Sequence, residues 1–307
     1  MLSVAVDARA QVSQPVGDLA VATFRSGVDL VAFNVVVTDS ADKFVTGLGQ
    51  ADFAVFEDGV QQDLSFFGSS DVPLDLAILL DTSASMTGKL EIAQKAAMGL
   101  VSTLRGADRV SVIDIKDATR ILFPMSEDAA GAQSAILSTL PRGGTALYNG
   151  TYLALKEMTK LRRVNDEVRR QAIVVLSDGA DTASLLSYDD VLEMAKQSGI
   201  AIYTISLRSQ SEVLRGRSGR SNFSQSEFAM KSLAQETGAR AYFPADVAEL
   251  AGIYSSIAEE LASQYALGYT SKNTRMDGRY RRVIVQVTVK PGIRTRTRNG
   301  YLSARSN

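Results

Sequence analysis

Two stretches of the chain read as strands with no wet face. Residues 74–80 are apolar except at Asp75, and residues 172–176 form a second such run. A strand packed against helices on both sides has this pattern, whereas a strand with one solvated face alternates. The segments around them have helical spacing. Residues 89–104 carry Leu90, Ala93, Ala97, Val101 and Leu104 on one stripe. Residues 129–140, 146–161, 188–197, 226–235 and 247–262 are further expected helices. More strands are expected at 109–115, at 120–124 (a short one at an edge), at 200–207 and at 241–243. Alternation of this kind implies right-handed crossovers and a doubly wound, mostly parallel, Rossmann-like sheet over residues 72–263.

The outer zones have a different period. In residues 29–39, Val31, Phe33, Val35 and Val37 share one face, and residues 53–56 form another strand. Glu57-Asp58-Gly59 supplies Asp-Gly hairpin chemistry, with residues 64–67 expected as the returning strand. After residue 264, Val283, Val285, Val287 and Val289 alternate with Ile284, Gln286, Thr288 and Lys290. Pro291-Gly292 then turns the chain, and residues 295–302 are expected to pair back. Neither zone has enough strands to bury a core by itself. The economical arrangement is one β-sandwich, shared by residues 25–71 and 264–307, into which the α/β unit is inserted. Residues 1–24 lie outside it. Ala8-Arg9-Ala10 before Gln11 has the look of a secretory cleavage site, but residues 2–6 are short for a signal core, so the segment is either a signal remnant or a disordered tail.

Residue types that are missing narrow the chemistry. The chain has no His and no Cys, which removes His-based triads, general-base histidines and ordinary zinc sites. Any bound metal must be a hard cation held by oxygens. There is no run of 18 apolar residues, and no transmembrane segment is expected. From Lys272 onward ten Lys or Arg residues face a single acid, Asp277. Without an aromatic-rich recognition motif this strip is expected as a solvated sheet face, not a nucleic-acid surface.

The first buried strand runs into Asp81-Thr82-Ser83-Ala84-Ser85. At the carboxyl end of a central strand, where open α/β sheets bind ligands, three oxygen side chains at alternate positions can converge on one hard cation. Gly143-Gly144-Thr145-Ala146-Leu147-Tyr148 precedes a helix, and Leu176-Ser177-Asp178-Gly179 follows the second buried strand. These three loops resemble the metal-ion-dependent adhesion site of the von Willebrand factor A family, written Asp-x-Ser-x-Ser, then Thr, then Asp. The resemblance implies a site of Asp81, Ser83, Ser85, Thr145 and Asp178. The hydroxyls of Ser83, Ser85 and Thr145 would touch Mg²⁺ (or Mn²⁺ or Ca²⁺) directly, and the two aspartates would act through water or alternate with direct contact. A partner protein would then supply an Asp or Glu carboxylate as the remaining ligand. Asn149 stands where many relatives have Asp, which bears on cation affinity, and Asp181 is expected on the loop surface or, as the alternative, in a supporting position behind the ligands. The stretch Asp52-Phe53-Ala54-Val55-Phe56-Glu57-Asp58-Gly59, Tyr265-Ala266-Leu267-Gly268-Tyr269 and Arg298-Asn299-Gly300-Tyr301 are similar to the flanks of bacterial proteins of this type.

The expected function is therefore metal-dependent protein binding or adhesion outside the cytoplasm, periplasmic or secreted, and not catalysis. A structural or assembly scaffold that makes little use of the metal is the alternative. Phosphoryl transfer fits poorly: Ser83 stands where a second Asp would be needed, and the Gly88-Lys89 pair lacks the other residues of a P-loop. Arg208, Arg215, Arg217 and Arg220 fall in a Ser- and Gly-rich stretch after a parallel strand. Two readings stand: a disordered insertion with solvated arginines, or a basic flap beside the cation that steers an acidic partner by charge.

Overall fold

The computed structural model describes residues 30–69, 71–164, 168–178, 181–207, 224–289 and 292–304. The expected signal remnant or tail, at residues 1–24, lies outside them. In chain order the first strands are β1 (Leu30–Thr38), β2 (Phe53–Glu57), β3 (Val60–Gln62) and β4 (Leu64–Gly68). The α/β elements follow: β5 (Leu74–Asp81), α1 (Leu90–Val101), β6 (Arg109–Ile115), β7 (Arg120–Ser126), α2 (Ala129–Leu137), α3 (Leu147–Val164) and β8 (Arg170–Ser177). Next come α4 (Tyr188–Ser198), β9 (Ala201–Ser206), α5 (Gln225–Glu236), β10 (Ala241–Tyr242) and α6 (Leu250–Ser263). The chain finishes with β11 (Tyr265–Thr270), β12 (Tyr280–Val287), β13 (Arg294–Arg296) and β14 (Gly300–Leu302).

The six-stranded sheet has the order β10-β9-β8-β5-β6-β7 and is parallel except for β7, which runs antiparallel to β6 at the edge. Pro124 is tolerated there because an edge strand has one side free of ladder bonds. Alternate residues of β5 feed two cores. Leu74, Leu76, Ile78 and Leu80 pack with α1, α2 and α6, while Ala77 and Leu79 pack with α3, α4 and α5. All eight residues of β5 and all eight of β8 are buried, as the apolar runs require. Burying each large aliphatic side chain stabilises the fold by about 1.5–3 kcal/mol. Local signals set the helix ends: α4 begins with a Ser187/Asp190 capping box and stops at Gly199, whose left-handed φ of 67° suits a residue without Cβ. No helix among the described residues is long and apolar enough to cross a membrane.

The outer strands form two antiparallel sheets, β13-β1-β11-β4 and β14-β12-β2-β3. Their facing sides enclose Val31, Phe33, Val35, Val37, Phe53, Val55, Tyr265, Leu267, Tyr269, Val283 and Val285. The chain leaves this sandwich at β4 and re-enters at β11, and those two strands are hydrogen-bonded neighbours. Two pairings differ from expectation. The Asp58-Gly59 turn, with φ of 48° and 85°, returns the chain into β3, with Glu57 opposite Val60. A two-residue turn fixes its partner immediately, so the segment expected as the return strand is free to cross to the other sheet as β4. The stretch expected as one strand over 295–302 is likewise divided, β13 pairing with β1 and β14 with β12.

The basic C-terminal strip is not simply a solvated face. Arg281 is 2% exposed and ion-paired with Glu57 inside the sandwich. Arg296 pairs at 2.5 Å with the fully buried Glu260 of α6 and donates to the Gly238 carbonyl at 2.6 Å. Arg298 donates to the Ala32 carbonyl at 2.9 Å. Arg296 thereby fastens the sandwich to the α/β unit, since a buried carboxylate such as Glu260 must be neutralised, while Arg281 and Arg298 tie strands within the sandwich.

Candidate metal centre

After β5 the chain adds β6 on one side of it and β8 on the other, so the crevice between β5 and β8 is a topological switch point. Asp81 is the last residue of β5, Ser177 the last of β8, and Asp178 follows at once. Beyond Asp81 the side chains diverge. The Thr82 hydroxyl donates to Asp114 on β6, and Asp114 pairs with Lys116, so Thr82 turns away from the crevice. A single 3₁₀ turn over Ala84–Met86, anchored by the fully buried Met86, presents Ser83 and Ser85 together.

Their oxygens converge. Ser83 Oγ and Ser85 Oγ lie 2.9 Å apart, and Ser85 Oγ donates to Asp178 Oδ1 at 2.6 Å. Beneath them the fully buried Asp81 accepts from the Ser83 N–H at 2.9 Å and from Ser177 Oγ at 2.5 Å. In an octahedral shell with bonds of about 2.1 Å, adjacent ligand oxygens are about 3.0 Å apart. The Ser83–Ser85 and Ser85–Asp178 spacings match two edges of such a shell within a few tenths of an ångström, so these residues fit a hard divalent cation. No group of three or more carboxylates stands ready for a metal among the described residues, so a cation here depends on the hydroxyls.

The second loop is fastened to the first: Ala84 N–H donates to the Gly143 carbonyl at 3.0 Å, and Arg142 N–H to the Thr82 carbonyl at 2.8 Å. Gly143 has φ of +74°, and a Cβ there would fall 2.1 Å from an Asp117 carboxylate oxygen. Asp117 accepts from Gly144 N–H at 2.5 Å, so the Gly-Gly pair is what lets this carboxylate hold the loop. Thr145, nearly buried, donates its N–H to Thr182 Oγ1 at 2.9 Å, and its carbonyl accepts from Thr182 and Ala183. Asp181, half-buried on the loop, accepts from Tyr148 N–H at 2.9 Å and from Ser184, and so caps the start of α3. The Asn149 side-chain oxygen accepts from the Leu185 and Leu186 N–H groups, both at 3.1 Å, and braces the third loop. All three loops thus meet, and all five expected ligands sit on them. Arg208, Arg215, Arg217 and Arg220 lie outside the described residues.

Electrostatically the centre is unbalanced at its base. Burial raises the Asp81 carboxyl above its ordinary value; hydrogen bonds from Ser177 and Ser83 pull the other way, and the Asp178 charge adds to the rise. Asp178 has a side chain 1% exposed and a partner absent from the expected set, Lys89, whose Nζ lies 2.5 Å from Oδ2. Nothing in the sequence links residues 89 positions apart. Ser177 was visible inside the quoted motif, and Asp117 and Thr182 carried no signal of their own.

Residues 76–180 match the family model described as von Willebrand factor type A domain. The chain is 36% identical over 111 residues to an uncharacterized protein of Synechocystis, an alignment covering 35% of this chain and 26% of that protein. It is 24% identical over 220 residues to an uncharacterized protein of Borreliella burgdorferi, covering 66% and 59%. The chain thus spans about a quarter and about three fifths of the curated relatives it matches. Among solved structures, a von Willebrand factor type A protein from Catenulispora acidiphila aligns with TM-score 0.52 and 11% identity over 92% of this chain and 76% of that one. Proximal thread matrix protein 1 from the mussel byssus aligns with TM-score 0.50 and 16% identity, over 62% and 48%. At these identities the likeness is one of fold. The α/β unit of this chain has the fold of these proteins, and the part of it from residue 76 to 180 matches the von Willebrand factor type A domain model.

Proposed function

We propose that the protein binds a partner through a divalent cation, Mg²⁺ or in its place Mn²⁺ or Ca²⁺, held by Ser83, Ser85, Thr145, Asp81 and Asp178. The observation that carries this reading is the pair of close oxygen contacts that links Ser83 to Ser85 and Ser85 to Asp178, above the buried Asp81. Hydroxyls bring no charge to a cation, so an ion held largely by them keeps an appetite for an anionic ligand. Ser85 and its neighbours Ala84, Thr87 and Gly88 are exposed, which leaves that ligand a way in. An Asp or Glu side chain of a partner protein meets the requirement of charge and hard oxygen. Phosphoryl transfer is disfavoured, because Asp81, the aspartate that would act as nucleophile at the end of β5, is fully buried with both oxygens already accepting hydrogen bonds. The protein on this reading is a binding module and not an enzyme.

Calorimetric titration with Mg²⁺ and Mn²⁺ tests the proposal. The chain should bind either ion at one site, and Asp178→Ala should abolish binding with its circular dichroism unchanged. An unchanged affinity in Asp178→Ala, or no binding by the natural chain, would overturn it.

A further inference from the structure

We infer that Lys89 is a resident counter-charge of the metal centre, which weakens cation capture and keeps the loaded centre positive. The inference rests on the proposed cation site and adds a residue outside its ligand set.

Asp178 uses its two oxygens differently: Oδ1 faces the serine pair through Ser85, while Oδ2 carries the Lys89 ammonium. The lysine can therefore remain in place while Oδ1 faces a cation. Its position is otherwise unfavourable. Lys89 is the N-cap residue of α1 and makes no side-chain capping bond. The positive end of a helix disfavours a cation, and N-cap positions favour Asp, Asn, Ser or Thr. A lysine here loses helix stability and recovers it through Asp178. Asp178 and Asp81 contribute two negative charges, and Lys89 removes one; the neighbouring Asp114 is already paired with Lys116. A divalent ion then leaves the centre with one net positive charge, where without Lys89 it would be neutral. The same ammonium repels the incoming ion across the carboxylate and, before the ion arrives, relieves the repulsion between Asp81 and Asp178.

Lys89→Met removes the charge and keeps the length, Lys89→Gln removes it and keeps a donor, and Lys89→Arg keeps both. Each is made in the full chain and titrated calorimetrically with Mg²⁺ and with Mn²⁺, and its melting temperature is measured in chelator. Both neutral variants should bind the ions at least about tenfold more tightly, the scale for one charge about 5 Å from a divalent ion even at the dielectric of bulk water. Their melting temperatures in chelator should fall, and Lys89→Arg should match the natural chain in both measurements. If the natural chain binds the ions and the neutral variants bind them equally or more weakly, Lys89 is no counter-charge, while the cation site stands. If the natural chain binds neither ion, both readings fall together.

Discussion

Glu57 and Asp81 are both buried carboxylates, and their surroundings are opposite in kind. Glu57, in the sandwich, accepts from Ser271 at 2.6 Å, Tyr301 at 2.8 Å and Tyr269 at 2.9 Å, and pairs with Arg281 at 3.3 Å. Burial alone would raise its carboxyl; the hydrogen bonds from Ser271, Tyr301, Tyr269 and Arg281 outweigh that and hold it below the ordinary glutamate value. Asp81, in the α/β unit, accepts from Ser83 and Ser177, pairs with no cation among the described residues, and stands near a second carboxylate. Burial leads the upward push on it, and Asp178 adds to that push. A buried charge whose valences are all met by the chain serves the scaffold. One left short of positive charge marks a place prepared for something else.

The contrast breaks most visibly at Arg281. Arg281→Met should destabilise the protein by about 3–5 kcal/mol in urea denaturation, because it leaves Glu57 buried without its cation. A loss under 1 kcal/mol would mean that the knot is dispensable. A sharper comparison sets Glu57→Gln against Asp81→Asn, both in chelator. The first should cost about 1–2 kcal/mol, since Gln cannot accept at both oxygens. The second should be neutral or stabilising by up to about 1 kcal/mol, because Asn still accepts from Ser83 N–H and the repulsion with Asp178 is gone. Equal losses would erase the distinction. The smallest effect is in pH. Glu57 has a folded-state value below its unfolded one, so its stabilisation is full above the ordinary carboxylate range and is lost as pH falls through the folded value. Urea midpoints taken from pH 7 to pH 3 should fall less steeply in Glu57→Gln than in the natural chain.

The parallel sheet was legible because its strands are buried on both faces and its helices have one apolar stripe each; hydrophobic period alone separates them. The short strands β3, β13 and β14 were not, since three residues are too few to show a period. The Glu57–Arg281 pair had a readable signal that went unused. In β2 the inner face runs Phe53, Val55, Glu57, and in β12 it runs Arg281, Val283, Val285, so one acid and one base share the apolar parity of adjacent strands. The placing of Asp81, Ser83, Ser85, Thr145 and Asp178 on neighbouring loops was legible because each lies in a short motif at the end of a strand or the start of a helix. Lys89, Asp117 and Asp181 act across the fold on Asp178, Gly144 and Tyr148, and contacts of that kind leave no local pattern in a sequence.

The adjacency of β4 and β11 has a consequence for biosynthesis. β1 must wait for its partner, because Val31 pairs with Tyr269, and at roughly 5–20 residues per second that delay lasts on the order of ten to fifty seconds. During it, strands with one apolar face stand unpaired on the emerging chain and invite association with other nascent chains. The inserted unit shortens the exposure. Once folded, it brings its two ends to neighbouring positions, where Gly68 meets Ala266, and so removes most of the closure entropy of a very long loop. The domain that carries the candidate metal centre would thus also serve, during synthesis, as the jig on which the sandwich is assembled.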